Sequence, residues 1–588
     1  MSDYIEEKNW TPVGIRSLEN NAELAIKSRA NLLVVAGPGS GKTELLAQRA
    51  DFLLKTGLCK YPKKILSISF KRDAANNLEQ RVKKRCLETE IQFDSMTLDG
   101  FAKKIVDRFL FSLPDFWRPN PKYKIRTERF PTEECEQWLL NAPIPVGFNP
   151  INFRSKNKGQ IEGLMGKVMH GARLPYNDPD IHPLHRIWGL HWWKEQLNID
   201  SQIPGLTFQM LNRLAAFLLR ENPKLCNALK TTYSHVFMDE FQDTTSPQWD
   251  LICSAFQNST STILTAVGDE KQRIMKWAGA MPEIFSLFEN TFTAKKIALI
   301  NNYRSAQFLL EIQHEIAKVI DSSIQSPSNA SNIKENGVCE IIEFEDHLQE
   351  SIWLSKLISN ETSQKSYHPR DYCILVRSKV EGMIEQLQLD LHSNGIRLRD
   401  ESRTQDLLVE PLMRIILCSI RLATKKRDRI AWDVLSESVS NLIGENLFFE
   451  GLKIEKIVND HRSLVIEFMD NNKDLQKLPE KIVKIIGFDK YGAIFRSYSD
   501  KEYFNKRIQE IGVLLSESYG KLKNYDEIVD DIEGLNVIPA MTIHKSKGLE
   551  FDTVIILGLE DNQWWNFRLQ PEEERRAFFV ALSSLNIS

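Results

Sequence analysis

Two short apolar runs and three longer periodic stretches organise the chain. Leu-Leu-Val-Val-Ala follows Asn31 and ends at Ala36, and Ser234–Met238 is a second such run. The first is apolar at every position and the second is apolar from Val236 to Met238, the pattern of strands buried on both faces of a parallel sheet. Glu44–Leu54, Leu407–Leu422 and Asp500–Leu522 repeat their apolar residues at helical spacing. Each strand runs straight into polar residues with chemical potential: a glycine-rich turn after Ala36, and two carboxylates after Met238.

Composition narrows the class. With 588 residues, 42% hydrophobic and 26% charged, the chain is an ordinary folded protein of several domains. A net charge of −3 excludes a protein that is basic all over, so any nucleic-acid contact must come from local grooves. The 8 cysteines form no C-x-x-C pair, which argues against a zinc or iron–sulfur site and for reduced thiols. The acidic start and the absence of a long apolar run predict a cytoplasmic protein with no membrane segment.

The turn after the first strand reads Ala36-Gly37-Pro38-Gly39-Ser40-Gly41-Lys42-Thr43, followed at once by a helix. Strand, glycine-rich loop, Gly-Lys-Thr and helix is the context of a phosphate-binding loop. Small residues let backbone N–H groups close around phosphate oxygens, and the helix N-terminus adds favourable partial charge. Lys42 is expected to reach the β and γ phosphates and Thr43 to hold Mg²⁺. The first position of the motif is Ala36 rather than glycine. Asp239 and Glu240, on a strand expected to lie beside that of the loop, predict the other half of an ATP site. Asp239 would contact Mg²⁺, and Glu240 would orient and deprotonate the attacking water.

The second strand continues as Asp239-Glu240-Phe241-Gln242-Asp243-Thr244. With this string the chain resembles superfamily 1 helicases of the UvrD/Rep/PcrA group. Further matches follow in that family's order: Ile65–Ala75 to motif Ia, Thr97–Ala102 to motif Ib, Val267–Ala280 to motif III. Asn302-Tyr303-Arg304-Ser305 is similar to motif IV, Met541–Phe551 to motif V, and Glu573–Ser583 to the opening of motif VI.

The resemblance implies roles. Gln272 would sense the γ-phosphate, Tyr303 stack on the adenine, Arg304 contact the γ-phosphate and Glu550 hold the ribose. Phe70, Trp277 and His544 fall at positions that touch single-stranded DNA, with Lys71, Arg72, Lys103 and Lys104 following its phosphates. Arg81–Arg85 reads as a solvated helix face, and Trp192-Trp193 and Trp564-Trp565 as packing residues.

Besides Ala36, four positions depart from the family pattern. Asn21 stands where a glutamine usually reads the adenine edge, and Glu44 where an arginine often packs on the base. Ala278 replaces the arginine of motif III. Ser584 occupies the motif VI arginine position, and the sequence stops shortly after. The expectation is either a shortened chain with weak hydrolysis, or compensation by Arg575 or Arg576, or an arginine supplied by a partner. The Lys-Gln-Arg-Ile-Met wording of motif III resembles a divergent branch of the family that includes helicases carried in anti-phage operons.

The fold class implied is α/β, two RecA-like P-loop domains with parallel sheets, each carrying a mainly helical insertion. The expected segments are 1–105 and 228–280 for the first motor domain with insertion 106–227, and 281–395 and 536–588 for the second with insertion 396–535. ATP would bind between the two motor domains. The function expected is an ATP-dependent helicase translocating 3′ to 5′ on single-stranded DNA, acting on single-stranded or tailed duplex substrates. The alternative is an ATPase-impaired single-strand-binding or sensor subunit of a repair or anti-phage complex. With no nuclease motif in the chain, cleavage would come from a nuclease or other defence or repair partner.

Overall fold

The structure, a computed structural model, describes residues 4–15, 18–86, 92–126, 130, 132–143, 158–164, 169, 171–177, 181–198, 205–329, 337–363, 367–402, 404–425, 427–444, 451–471, 474–495, 498 and 501–585. The chain divides into two compact units, Met1–Lys334 and Glu335–Ser588. The α/β class holds in both, each with a parallel sheet and a mainly helical insertion.

In the first unit six parallel strands form the sheet: β1 (Leu32–Ala36), β2 (Lys64–Ser69), β3 (Phe93–Thr97), β4 (Tyr233–Met238), β5 (Ile263–Gly268) and β6 (Lys295–Leu299), in the order β3-β2-β4-β5-β1-β6. The period of two along β1 explains its unbroken apolar run. Leu32, Val34 and Ala36 enter one core, whereas Leu33 enters another on the opposite face. Helices α1 (Asn20–Lys27), α2 (Lys42–Lys55) and α3 (Arg72–Arg85) serve the first core. On the second face, α4 (Leu98–Arg108) and α5 (Phe208–Glu221) pack with α6 (Ser246–Phe256), and this core runs on into the insertion. There Trp117, Trp138, Trp188, Trp192 and Trp193 are all buried. Trp192-Trp193 are packing residues, the Trp193 indole N–H donating to the Met169 carbonyl at 2.8 Å.

Three sequence expectations change. The carboxylate strand β4 does not lie beside β1; β5 intervenes, paired in parallel with both. All three strands still end at the same edge of the sheet, so the chemistry stays together. The boundary at 281 also moves, because β6 pairs with β1 in register from Leu32 to Ala36 and belongs to the first sheet. As an edge strand with lysines on its exposed positions, β6 lacks the apolar signature of its neighbours. Last, 396 is too early for the second insertion, since Leu398–Asp400 is a strand of the second sheet.

That second sheet has four parallel strands, β7 (Tyr372–Val376), β8 (Leu398–Asp400), β9 (Ile538–Thr542) and β10 (Thr553–Ile556), ordered β8-β9-β7-β10. The intervening helices hold a separate apolar core. Among them, Pro411–Thr424 and Lys501–Leu522 match the two predicted periodic stretches, the first starting at a proline that serves as its opening residue. No helix among the described residues is long and apolar enough to cross a membrane.

Under α2 sits a buried cation. The Arg49 guanidinium donates to the carbonyls of Ala25, Ile26 and Ser28 and to the Thr265 hydroxyl, tying α2 to α1 and β5. Burial lowers its pKa to about 9. Close by on β4, burial and then the Arg49 and Lys63 charges push His235 down to about 3. The unfolded chain protonates this histidine near pH 6.5, so between about pH 6.5 and 3 the unfolded state binds the extra proton. Stability is therefore expected to fall by about 1.4 kcal/mol per pH unit on acidification through that window from this residue alone. Urea unfolding at several pH values should show a flatter dependence for His235→Asn; equal slopes would remove His235 from the account.

Candidate nucleotide and DNA site

The turn from β1 into α2 has the shape its glycines predict. Gly39 (φ +67°) and Gly41 (φ +81°) both adopt left-handed backbone, and Gly41 is the residue before the first helical turn. The Ser40 hydroxyl donates to the Gly37 carbonyl at 2.7 Å, closing the loop on itself. The Lys42 ammonium folds back to the Ala36 carbonyl at 3.3 Å, so it already points into the loop's concavity. Ala36 is buried as the last residue of β1 and is absent from the residues with positive φ, which is why alanine is tolerated there.

The loop is braced from the segment that follows β6 by a residue whose role the sequence did not reveal. Asn302 is buried. Its amide N–H donates to the Pro38 carbonyl at 2.8 Å, and its Oδ1 accepts from the backbone N–H groups of Arg304 and Ser305 at 2.8 Å each. The Tyr303 N–H donates to the Gly39 carbonyl at 2.9 Å. The phosphate loop and the Asn302–Ser305 segment are thus one hydrogen-bonded piece, with Tyr303 and Arg304 beside Gly39. The Tyr303 ring is 44% exposed, consistent with a stacking face, and its hydroxyl accepts from the Asn301 amide at 3.2 Å. Glu19 holds the same segment from below, accepting from the N–H groups of Ile300 and Asn301.

Asn21 is placed at the start of α1, where its amide donates to the Ala298 carbonyl at 2.7 Å. That donor is engaged with β6, and a role in reading a base rests on the remainder of the amide. Glu44 is not solvated: Arg85 donates to both its oxygens at 2.8 and 2.7 Å, Arg81 lies at 3.3 Å, and Gln48 donates at 2.7 Å. Two members of Arg81–Arg85 therefore reach the helix that follows the phosphate loop, Arg85 largely covered and Arg81 still half-exposed.

At the end of β4, Asp239 is buried and its backbone N–H is held by the Ile68 carbonyl at 3.0 Å. Glu240 follows with φ +51°, a left-handed conformation that costs a side-chain-bearing residue roughly 1–2 kcal/mol. Such strain at a carboxylate marks a position whose direction matters. The Gln242 amide donates to Glu240 Oε2 at 2.5 Å, while its oxygen accepts from the Asp269 N–H at 3.0 Å. The Asp269 carboxylate is buried and accepts from the Gln272 amide at 3.1 Å, with the Lys271 ammonium at 2.6 Å. Glu240 and Gln272 are thereby linked through two residues, Gln242 and Asp269, that appeared in the sequence only as letters within longer strings.

Of the proposed DNA contacts in this unit, Trp277 is 56% exposed on the loop after β5 and is not a core residue. Phe70 is half-buried at the end of β2 and lines a small cavity with Ser69, Asp239, Glu240 and Gln248. Lys103 pairs with Asp107 at 2.6 Å, its ammonium lying 5.4 Å from the Tyr123 ring centroid, and is committed to the fold rather than to phosphates.

In the second unit, His544 sits half-buried on the short helix Ile543–Ser546 after β9, and Glu550 is exposed. Ser584 is 2% exposed, its hydroxyl donating to the Val580 carbonyl at 3.1 Å and lying 3.3 Å from the Ser546 hydroxyl. Its carbonyl accepts from the Phe551 N–H, so this position is part of the unit's interior. Arg576 is largely covered and lies 3.4 Å from Glu572. Of the tryptophan pair, Trp564 packs on Phe578, whereas Trp565 is 64% exposed and is not a packing residue.

The residues fit the groups the sequence implied. Gly39 and Gly41 hold the left-handed backbone the loop needs, and a hydroxyl at Thr43 and a buried carboxylate at Asp239 are oxygen ligands suited to Mg²⁺. When bound, Mg²⁺ supplies charge neutralisation on the phosphates.

A parallel-sheet unit with this loop, this acidic strand end and this linked glutamine is a P-loop nucleotide-hydrolase core. The UvrD/REP helicase N-terminal domain model matches residues 18–147 and 148–293, and the UvrD-like helicase C-terminal domain model matches 297–530 and 476–584. The chain belongs to the UvrD/Rep/PcrA-like helicase family. It is 24% identical over 612 residues to the ATP-dependent DNA helicase PcrA of Staphylococcus aureus, covering 94% of this chain and 80% of that protein. It is similar at 24% over 618 residues to the ATP-dependent DNA helicase Rep of Buchnera aphidicola, covering 94% and 89%. A probable DNA helicase II homolog of Mycoplasma capricolum is 23% identical over 608 residues, covering 94% and 80%.

Proposed function

We propose that this chain is an ATP-dependent DNA helicase that translocates 3′ to 5′ on single-stranded DNA. One observation carries the reading: a single loop after β5 bears the buried Gln272, tied through Asp269 and Gln242 to Glu240, and also the exposed Trp277. A change at the hydrolysis centre and a change at a stacking surface are then movements of one short segment. Lys42, with the loop from Ala36 to Gly41, holds the phosphates; Thr43 and Asp239 hold Mg²⁺. Glu240 takes the proton of the attacking water, Gln272 and Arg304 face the γ-phosphate, and Tyr303, Asn21 and Glu550 contact the nucleoside. Phe70, Trp277 and His544 contact the strand, for which stacking suits because every base offers a π-face.

The test is ATP hydrolysis by the full chain with and without single-stranded DNA, and unwinding of duplexes with a 3′ or a 5′ tail. Strong stimulation by the strand and unwinding only of the 3′-tailed duplex are expected. Trp277→Ala should weaken strand binding by about 5- to 150-fold, the equivalent of 1–3 kcal/mol of stacking. Hydrolysis indifferent to DNA would end the motor reading.

A second reading, an ATPase-impaired strand-binding or sensor subunit of a repair or anti-phage complex, rests on Ser584. The family's arginine is replaced by a small side chain bonded inside the second unit. This reading predicts strand binding with negligible stimulated hydrolysis, so the same assay separates the two.

A further inference from the structure

We infer that Gln242 is a positioning residue for ATP hydrolysis, holding the Glu240 carboxylate in register with the Asp269–Gln272 turn; the inference rests on the function proposed above. Its two ends do different work. The amide nitrogen donates to Glu240 Oε2 at 2.5 Å, and the amide oxygen accepts from the Asp269 backbone N–H at 3.0 Å. The side chain is wholly buried, so both bonds are made out of contact with water.

The geometry around it shows why a glutamine is needed. Glu240 sits in left-handed backbone at the start of a single 3₁₀ turn, Phe241–Asp243, which carries Gln242 back beneath it. A free carboxylate on such a turn would sample several rotamers, and hydrolysis needs one of them within hydrogen-bond reach of a water. The bond from Gln242 restricts that choice at Oε2. The other end reads the backbone at the close of β5, directly before Asp269, whose carboxylate bonds the Gln272 amide at 3.1 Å and the Lys271 N–H at 3.1 Å. A shift of the turn bearing Gln272 thus pulls on the Asp269 backbone, and Gln242 transmits that pull to the carboxylate. The space is closed on the far side: a Cβ added at Gly268 would run into Gln242 Oε1 and would meet the Phe285 ring at 3.0 Å.

This division of labour gives a discriminating pair of variants. Gln242→Glu keeps the length and the oxygen that accepts from Asp269, but loses the donor and sets a second carboxylate against Glu240. Gly268→Ala leaves Gln242 intact and displaces it. If Gln242 only fills space or caps the Asp269 N–H, any loss of turnover should come with a matching loss of nucleotide binding and Tm. If it positions Glu240, both variants should lose kcat by 30-fold or more, with KM and equilibrium binding of a non-hydrolysable ATP analogue within about 3-fold of wild type.

The measurements are steady-state ATPase of the full chain with saturating single-stranded DNA, analogue binding, and thermal unfolding of each variant. Gln242→Glu with near-wild-type kcat overturns the inference alone. A variant whose nucleotide binding and Tm fall together with kcat also overturns it, because the residue is then structural. Absence of DNA-stimulated turnover in the wild type overturns the proposed function as well, which the wild-type control reads separately.

Discussion

Replacing Glu240 by Gln is expected to cut DNA-stimulated ATP turnover by about 10³-fold, within the range for loss of a general base, while ATP still binds with near-wild-type affinity. The substitution isolates charge. Glutamine has the same length, its oxygen still accepts the Gln242 N–H, and it bears the left-handed backbone at position 240 no worse than glutamate does. Asp239 keeps its bond from the Glu240 backbone N–H at 2.9 Å, and with it the carboxylate assigned to Mg²⁺ is undisturbed. What disappears is the basic oxygen that takes a proton from water. Single-turnover hydrolysis together with equilibrium nucleotide binding checks this. More than a tenth of wild-type turnover in Glu240→Gln would mean that another group accepts the proton, and Glu240 would then lose its assigned role.

The parts of this site legible in the sequence are those carried by consecutive residues. A strand running into Gly-Lys-Thr and a strand running into Asp-Glu are local events, and both sit where the pattern put them. What escaped depends on residues distant in sequence. That β5 separates β4 from β1 follows from crossover connections, which leave no mark on any one strand. Strand β6 hides because only its last residue is buried, so it lacks the run by which the other strands are recognised.

Asn302, Gln242 and Asp269 were visible as polar letters, but an amide in a string does not say which backbone group it will meet. Glu44 shows the same limit from the other side. The missing arginine could be read, whereas its pairing with Arg81 and Arg85 depends on α3 crossing near α2. In Trp564-Trp565, adjacent residues of a loop point in different directions, and no periodicity exists to sort them.

Gly39→Ala is expected to weaken ATP binding by about 100-fold or more with little change in Tm. Gly39 has φ +67°, where a Cβ costs roughly 1–2 kcal/mol. The methyl would also lie 2.6 Å from Arg304 Cβ and 2.7 Å from Asn302 Nδ2, and neither is the loose end of a flexible chain. Arg304 Cβ is fixed to its backbone, and Asn302 is pinned by three hydrogen bonds. Relief must come from the loop, by opening the Tyr303 N–H to Gly39 carbonyl bond or the Asn302 to Pro38 bond, each worth about 0.5–1.5 kcal/mol. Strain and lost bonds together reach about 3 kcal/mol, near a factor of 100 in affinity. The cost falls on binding rather than folding because the unliganded loop can relax outward, whereas the liganded loop must close. Titration of an ATP analogue beside a thermal melt reads both quantities. Near-wild-type affinity in Gly39→Ala would show that the Asn302–Ser305 segment yields at no cost, and its bracing of the phosphate loop would have no part in holding nucleotide.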